Sequence, residues 1–254
     1  MKKCFLHIGN FKTGSTSLQK FLYINSKEFD QHNILPIYYK NWFGETINHY
    51  NLYKDFNEGN LKEIEDFFSK ITANKDIILS SEYFSSFSNQ DRKIEFLKET
   101  IEKFGYKLII IFYYRKDSDS LYSLYSEMLK QKRSAEIENV FKFKEKVFKN
   151  GSYFIENKSK NWYLNSNYFI DYKMVCEKWK NHFKNNFHSI ECNFESDKAI
   201  FADFLKVIGI ENLSKFDIPS KKNVTTKIKF WKFKRIFIYF YLKYYSKKFF
   251  KKFN

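Results

Sequence analysis

The chain has 254 residues, of which 43% are hydrophobic and 21% aromatic, and its formal net charge is +16. This composition supports a sizeable packed core and excludes a generally disordered chain. The positive charge favours an anionic partner, such as a phosphorylated cofactor, an acidic glycan, nucleic acid or an anionic membrane surface. A general lysine bias of the proteome would explain the charge equally well.

The cysteines and the ends of the chain indicate a compartment. Cys4, Cys176 and Cys192 are widely spaced and form neither a disulfide framework nor a metal-ligand pattern, which favours a reducing environment. A predicted strand follows almost directly on Met1, without the apolar segment of a signal peptide. The apolar run at 236–242 is far shorter than the roughly 20 residues that span a membrane. We therefore expect a cytoplasmic protein.

Predicted strands and helices alternate along the chain. Apolar runs typical of strands occur at 4–9, 34–39, 76–80, 108–114 and 187–192. Pro36 assigns the second of these to a sheet edge or a loop. Apolar residues at helical spacing, with capping residues, predict helices from about 16 and at 61–71, 91–104, 117–131, 168–183 and 198–208. This alternation predicts an α/β fold with a parallel central sheet flanked by helices.

The sheet and its helices are expected to occupy residues 1–222, with the polar, lysine-rich segment 133–165 as a substrate-facing insertion. Aromatic residues and lysines then alternate densely in a predicted helical tail, 223–254. A helix of this composition suits lying in a membrane interface. The competing interpretations are packing on the domain with the lysines outward, and RNA binding through stacked aromatics. The body of the chain carries no RNA-binding motif, so nucleic acid is not the expected partner.

The segment 7–19, HIGNFKTGSTSLQ, nearly matches the phosphate-binding pattern G-x-x-x-x-G-K-[ST]. Three residues keep the expected positions, namely Gly9, Gly14 and Thr16. Ser15, however, stands where the lysine belongs, and Lys12 lies inside the loop. Backbone N–H groups of such a turn bind anions whatever the side chains are.

A triphosphate hydrolase also needs the lysine in its usual place and an aspartate at a strand end to hold Mg²⁺. Here the strand at 76–80 continues into Ser81 and Glu82, and the strand at 108–114 continues into Arg115. The loop therefore suits a diphosphate-like anion that carries a transferable group.

The chain resembles the PAPS-dependent sulfotransferases, especially those acting on carbohydrates and their bacterial relatives; PAPS is 3′-phosphoadenosine 5′-phosphosulfate. The 5′-phosphosulfate loop of that family has a lysine two residues before the glycine, followed by Ser/Thr residues, and KTGST at 12–16 looks like it. The family's second motif is a strand ending in arginine with a serine eight residues further on, both holding the 3′-phosphate. Arg115 and Ser123 match it. The resemblance covers roughly residues 3–209.

This resemblance implies transfer of the sulfuryl group from PAPS to a hydroxyl or amine of a carbohydrate or glycolipid acceptor, with adenosine 3′,5′-bisphosphate as product and no metal. Lys12 would bind the phosphosulfate and stabilise the leaving oxygen, while Arg115 and Ser123 would bind the 3′-phosphate. The remaining phosphosulfate contacts would come from Thr13, Gly14, Ser15, Thr16 and Ser17. Thr13 and Ser17 also qualify as mere caps of the first helix.

The general base is expected near the end of a strand between the two motifs, where Glu82 stands. His49 is the second candidate, although a surface histidine without a catalytic role is the simpler interpretation. Two other functions remain open. One is a small-molecule or nucleotide kinase with a degenerate loop, which predicts affinity for ATP and Mg²⁺. The other is a basic module that binds RNA or the inner face of the membrane through the tail.

Overall fold

The structure is a computed structural model that describes residues 1–10, 13–41, 44–115, 172–192 and 197–219, and these form one compact unit. Seven strands are described: β1 (Lys2–Gly9), β2 (Ile34–Pro36), β3 (Tyr39–Asn41), β4 (Gly44–Thr46), β5 (Asp76–Ser80), β6 (Tyr106–Tyr114) and β7 (Phe187–Glu191). Five of them form a parallel sheet in the order β2-β5-β1-β6-β7, while β3 and β4 form a separate antiparallel pair.

The helices connect these strands. They are α1 (Ser15–Ile24), α2 (Ser26–Gln31), α3 (Tyr50–Glu58), α4 (Leu61–Ser69), α5 (Asp91–Lys103), α6 (Tyr172–Phe183) and α7 (Asp197–Val207). A 3₁₀ helix, Glu82–Asn89, follows β5, and short 3₁₀ turns occur at Lys184–Asn186 and Leu213–Lys215. The predicted α/β fold with a parallel central sheet flanked by helices is confirmed.

Strand β1 lies at the centre of the sheet and contributes to a core on each face. Cys4, Leu6 and Ile8 pack against α3–α6 on one face. Phe5 points to the opposite face, which α1, α2 and α7 cover. Because both faces are covered, the strand is a continuous apolar run rather than an alternating one.

The edge of the sheet differs from the sequence-based expectation. Strand β2 ends at Pro36 rather than continuing to residue 39, although Ile37 still donates a backbone hydrogen bond to Ile78 (3.1 Å). Pro36 does lie in an edge strand, as predicted, since proline has no N–H to give to a second neighbour. Beyond β2, Asn48 forms a parallel bridge with Ser80 and so extends the sheet beside the end of β5.

The elements that the sequence analysis did not predict include α2, α3, the strands β3 and β4, and the 3₁₀ helix Glu82–Asn89. Helix α3 buries only Leu52 and Phe56, which is too little periodicity to recognise. The predicted helix 117–131, the insertion 133–165 and the tail 223–254 lie outside the described residues. Within the described part of the chain, no helix is both long enough and apolar enough to cross a membrane.

Candidate functional site

The loop between β1 and α1 leaves the carboxyl end of the central strand, where ligands of parallel sheets bind. Asn10 donates its backbone N–H to the carbonyl of Tyr113 in β6 (3.0 Å), and the Thr13 hydroxyl donates to the Asn10 carbonyl (2.6 Å). A Cβ on Gly9 would lie 2.9 Å from Thr13 Oγ1 and 3.1 Å from the Tyr113 carbonyl oxygen. Glycine is therefore required at position 9 for the loop to fold back this tightly.

Among the described residues, no side chain caps the N-terminus of helix α1. Gly14 occupies the N-cap position with φ 86°, in the left-handed region that favours glycine. The Gly14 carbonyl accepts hydrogen bonds from the N–H groups of Ser17 (2.9 Å) and Leu18 (3.0 Å). The N–H groups of Ser15 and Thr16 come earlier and have no acceptor within the helix.

The first turn of α1 contains no acidic residue, and Thr16 and Ser17 are exposed. The interpretation of Thr13 and Ser17 as caps is wrong, because the Thr13 hydroxyl holds the loop and Gly14 takes the cap position. An uncapped helix end with free N–H groups and no carboxylate can bind an anion such as a phosphate or sulfate group.

Glu82 lies on one side of this loop. After β5 ends, Ser81 donates its N–H to the carbonyl of His7, so the chain stays beside β1 for one more residue (3.0 Å). Glu82 then begins the 3₁₀ helix and is half-buried, and its carbonyl accepts a hydrogen bond from the Ser85 hydroxyl (2.8 Å). Its carboxyl group is thus carried at the same edge of the sheet as the loop.

Arg115 lies on the other side, directly after β6, and is half-buried. Cys192 donates its backbone N–H to the Tyr114 carbonyl (2.8 Å), which holds the end of β6 against the chain that follows β7. Burial raises the pKa of the Cys192 thiol to about 12, and the positive charge of Arg115 opposes this rise. Since β1 pairs with β5 on one side and β6 on the other, Glu82 and Arg115 flank the strand that carries the loop.

A buried polar cluster lies at the end of β1, on the face that α1 covers. His7 Nδ1 is 2.9 Å from Ser80 Oγ, and Gln19 of α1 donates to the same oxygen (3.2 Å). Burial lowers the pKa of His7 to about 3, so its imidazole is neutral. These bonds tie α1, β1 and β5 together close to the loop. The sequence analysis assigned no role to Ser80 or Gln19. For Ser80, the one signal was its place as a polar residue at the end of an apolar run.

The interpretation of His49 as a surface residue is wrong, since its side chain is completely buried. His49 Nδ1 lies 3.1 Å from the backbone nitrogen and 3.2 Å from the carbonyl oxygen of Ser80, and the ring packs edge-on against Phe67 (5.9 Å between centroids). Burial lowers the pKa of His49 to about 4, against the effect of its backbone hydrogen bonds. Ser80 pairs with His7 of β1 on its other side, so the end of β5 separates His49 from the loop.

Two of the predicted site residues, Lys12 and Ser123, lie outside the described residues, and their contacts stay predictions. The structure brings together the ends of the elements that carry the rest: the loop with Thr13–Ser17, Glu82 and Arg115. In the described part of the chain, no group of three His, Cys, Asp or Glu side chains is arranged to hold a metal ion.

The molecule is an α/β protein with a five-stranded parallel sheet, whose central strand leads into the loop that contains Gly9 and Gly14. No family model matches the chain, and no curated protein matches it. Among solved structures, the chain is similar to a de novo designed protein with the P-loop NTPase fold, at 16% identity and a TM-score of 0.23. The match covers 58% of this chain and 92% of the designed chain.

Proposed function

We propose that the protein is a PAPS-dependent sulfotransferase, which moves a sulfuryl group from PAPS to a hydroxyl or amine of a carbohydrate or glycolipid acceptor. The observation that carries this proposal is the order of the strands. The loop with the KTGST sequence follows the central strand β1, while Glu82 and Arg115 follow its two neighbours, β5 and β6. Glu82, the proposed base, and Arg115, the proposed cation for the 3′-phosphate, thus follow strands on opposite sides of the loop.

The residues present fit a phosphosulfate group. Gly14 is the N-cap of α1 and has a left-handed backbone conformation. Gly9 has no Cβ, so the Thr13 hydroxyl and the Tyr113 carbonyl can approach it closely. The free N–H groups of Ser15 and Thr16 supply neutral donors, and the first turn contributes no carboxylate that would repel the ligand. Ser17 adds a hydroxyl at the surface of the same turn.

When bound, PAPS supplies a sulfuryl group on a good leaving group. Glu82 accepts the proton of the acceptor hydroxyl or amine as its oxygen or nitrogen attacks. Lys12 would help to hold the phosphosulfate, and its ammonium group would stabilise negative charge on the leaving oxygen. Arg115 and Ser123 hold the 3′-phosphate, which fixes the orientation of the donor. His49 is the second candidate for this base, although it is buried and the end of β5 lies between it and the loop.

The fold also suits a kinase, because Gly9 and Gly14 have the spacing of a nucleotide-binding loop. A thermal-shift comparison separates the two functions. Adenosine 3′,5′-bisphosphate should stabilise the full chain more than ATP with Mg²⁺ at equal concentration, since ligand binding to the folded state raises the melting temperature. A larger shift with ATP and Mg²⁺, or none with either ligand, would contradict the sulfotransferase proposal.

The proposal also includes a location for the protein in the cell. A cytoplasmic enzyme whose basic aromatic tail, 223–254, contacts anionic lipid would reach lipid-linked glycans at the inner face of the membrane. The tail lies outside the described residues, so this contact stays a prediction. Co-sedimentation of the full chain with anionic vesicles at low salt, compared with neutral vesicles, tests it.

A further inference from the structure

A cavity lies away from the loop, between the outer edge of β2 and the helices α3 and α4. It has a volume of about 490 Å³. Its apolar lining comes from both the sheet edge and the helices, with Leu35, Ile37, Leu52 and Ile71 as members. A cavity of this size falls in the range of small-molecule sites, about 300–1,000 Å³.

The charge of this cavity is opposite to that of the chain as a whole. Three carboxylates line it, from Asp55 of α3 and from Glu63 and Asp66 of α4, against one ammonium group, that of Lys70. Lys70 already forms an ion pair with Asp66. Within the described part of the chain, neither Asp55 nor Glu63 forms an ion pair with a basic residue. In a protein of net charge +16, such a local excess of negative charge is distinctive.

The two carboxylates of Asp55 and Glu63 repel each other. Burial raises the pKa of Asp55, and the negative charges of Glu63 and Glu58 raise it further, against the hydrogen bond from Asn60 and the positive charge of Lys54. A cation placed between these groups would relieve the repulsion. Since the cavity also has an apolar and aromatic lining, an organic cation can contact both the carboxylates and this lining.

Aromatic rings complete the lining. Phe67 and Tyr38 are both half-buried and contribute to the wall of the cavity. The face of an aromatic ring attracts an ammonium group, particularly where water is partly excluded. The lining of this cavity thus combines apolar side chains, two aromatic rings and the carboxylates of Asp55 and Glu63. This combination suits a ligand with an apolar body and a positively charged end.

From these features we propose that the cavity between β2, α3 and α4 binds an organic amine with an apolar or aromatic body. The apolar part lies on Leu35, Ile37 and Leu52, and the ammonium group lies between Asp55 and Glu63. This site does not depend on the proposed sulfuryl transfer, because it is lined by none of the residues assigned to that reaction.

The test measures binding of 2-phenylethylamine to the full chain by isothermal titration calorimetry, beside its neutral analogue 2-phenylethanol. The amine should bind more tightly than the alcohol by about fivefold or more, the scale of two partly exposed charge contacts and a cation–π contact. The double variant Asp55→Asn with Glu63→Gln should remove this difference while leaving the affinity for the alcohol unchanged.

A matched control is the double variant Glu65→Gln with Glu95→Gln, which removes two exposed carboxylates of α4 and α5 outside the cavity. It should keep the preference for the amine. If the Asp55 and Glu63 double variant does not fold, the single variant Glu63→Gln at an exposed position should lose part of the preference. The proposal is overturned if amine and alcohol bind equally, if neither binds, if the control loses as much as the test variant, or if CaCl₂ or MgCl₂ displaces the amine at equal ionic strength.

Discussion

His49 Nδ1 lies 3.1 Å from the backbone nitrogen and 3.2 Å from the carbonyl oxygen of Ser80, in the interior of the protein. Together with the hydrogen bond that the His49 N–H donates to the Ser80 carbonyl (2.9 Å), this contact holds the segment before α3 against the end of β5, two residues before Glu82. Burial lowers the pKa of His49 to about 4 from an ordinary value of 6.5, so the folded protein binds the proton less readily than the unfolded chain. The residue is thus a neutral structural element close to the candidate site.

This relationship predicts how stability depends on pH. Between pH 6.5 and about 4 the unfolded chain takes up a proton at His49 and the folded protein does not. The free energy of unfolding should therefore fall across this interval by about 3 kcal/mol from His49 alone. His7, whose pKa burial lowers to about 3, adds to the fall.

Urea unfolding at several pH values, compared between the wild type and His49→Gln, measures this effect. The variant should show a shallower decline, since glutamine keeps an acceptor for Ser80 but does not titrate. His32→Gln controls for the replacement of a histidine outside the interior. Equal slopes for the wild type and His49→Gln would show that the imidazole is protonated in the folded state.

Lys12→Ala should abolish most of the transfer without unfolding the protein. Loss of one electrostatic contact to a developing negative charge costs about 10²–10³ in rate. The measurement is release of adenosine 3′,5′-bisphosphate from PAPS with a panel of oligosaccharide acceptors, with circular dichroism as the check on folding. Lys20→Ala on α1 is the matched control and should keep full activity. Wild-type turnover by Lys12→Ala would refute the role of this lysine.

Glu82→Gln should reduce the transfer rate by about 10²–10⁴, the usual contribution of a general base, while the affinity for adenosine 3′,5′-bisphosphate stays as in the wild type. Glu95→Gln on the exposed face of α5 is the control for loss of one carboxylate. The same assay on His49→Gln distinguishes the two candidate bases. If His49→Gln loses the rate and Glu82→Gln retains it, the assignment is reversed.

Arg115→Ala should weaken adenosine 3′,5′-bisphosphate by about 2–3 kcal/mol, the scale of a charge-assisted hydrogen bond. It should barely change binding of adenosine 5′-phosphosulfate, which has no 3′-phosphate. Ser123→Ala should show the same selectivity with a smaller loss. Arg92→Ala, at an exposed arginine of α5, controls for the general loss of positive charge. Equal losses for both ligands in Arg115→Ala would contradict a contact with the 3′-phosphate.

Gly9→Ala should destabilise the protein by about 1–3 kcal/mol, as overpacked positions do, because the added Cβ meets Thr13 Oγ1 at 2.9 Å and the Tyr113 carbonyl at 3.1 Å. It should also displace the loop and weaken adenosine 3′,5′-bisphosphate. Gly105→Ala is an informative control at the opposite end of β6. Its φ of 80° makes alanine unfavourable, yet no atom lies within 4 Å of the new Cβ. Gly105→Ala should therefore lose stability in urea but keep ligand affinity; loss of affinity in both variants would mean that stability alone explains the effect.

Much of the sheet was predictable because its strands are buried on both faces. The runs at 4–9, 76–80 and 108–114 are apolar over most of their length, and each is a central strand of the sheet. Helix α3 was not predictable, since it buries only Leu52 and Phe56. The burial of His49 was equally invisible, because a single histidine between Asn48 and Tyr50 has no periodicity that would indicate its direction.

The sequence by itself determined the local chemistry: an apolar strand, a turn with Gly9 and Gly14, and hydroxyl residues at the start of α1. These features depend on neighbours within a few residues, so their pattern is legible along the chain. Only the tertiary structure decided that Glu82 and Arg115 lie on opposite sides of that loop and that β5 separates His49 from it. The physical reason is that strand order depends on pairing between segments up to about one hundred residues apart, and the same apolar runs are compatible with several orders.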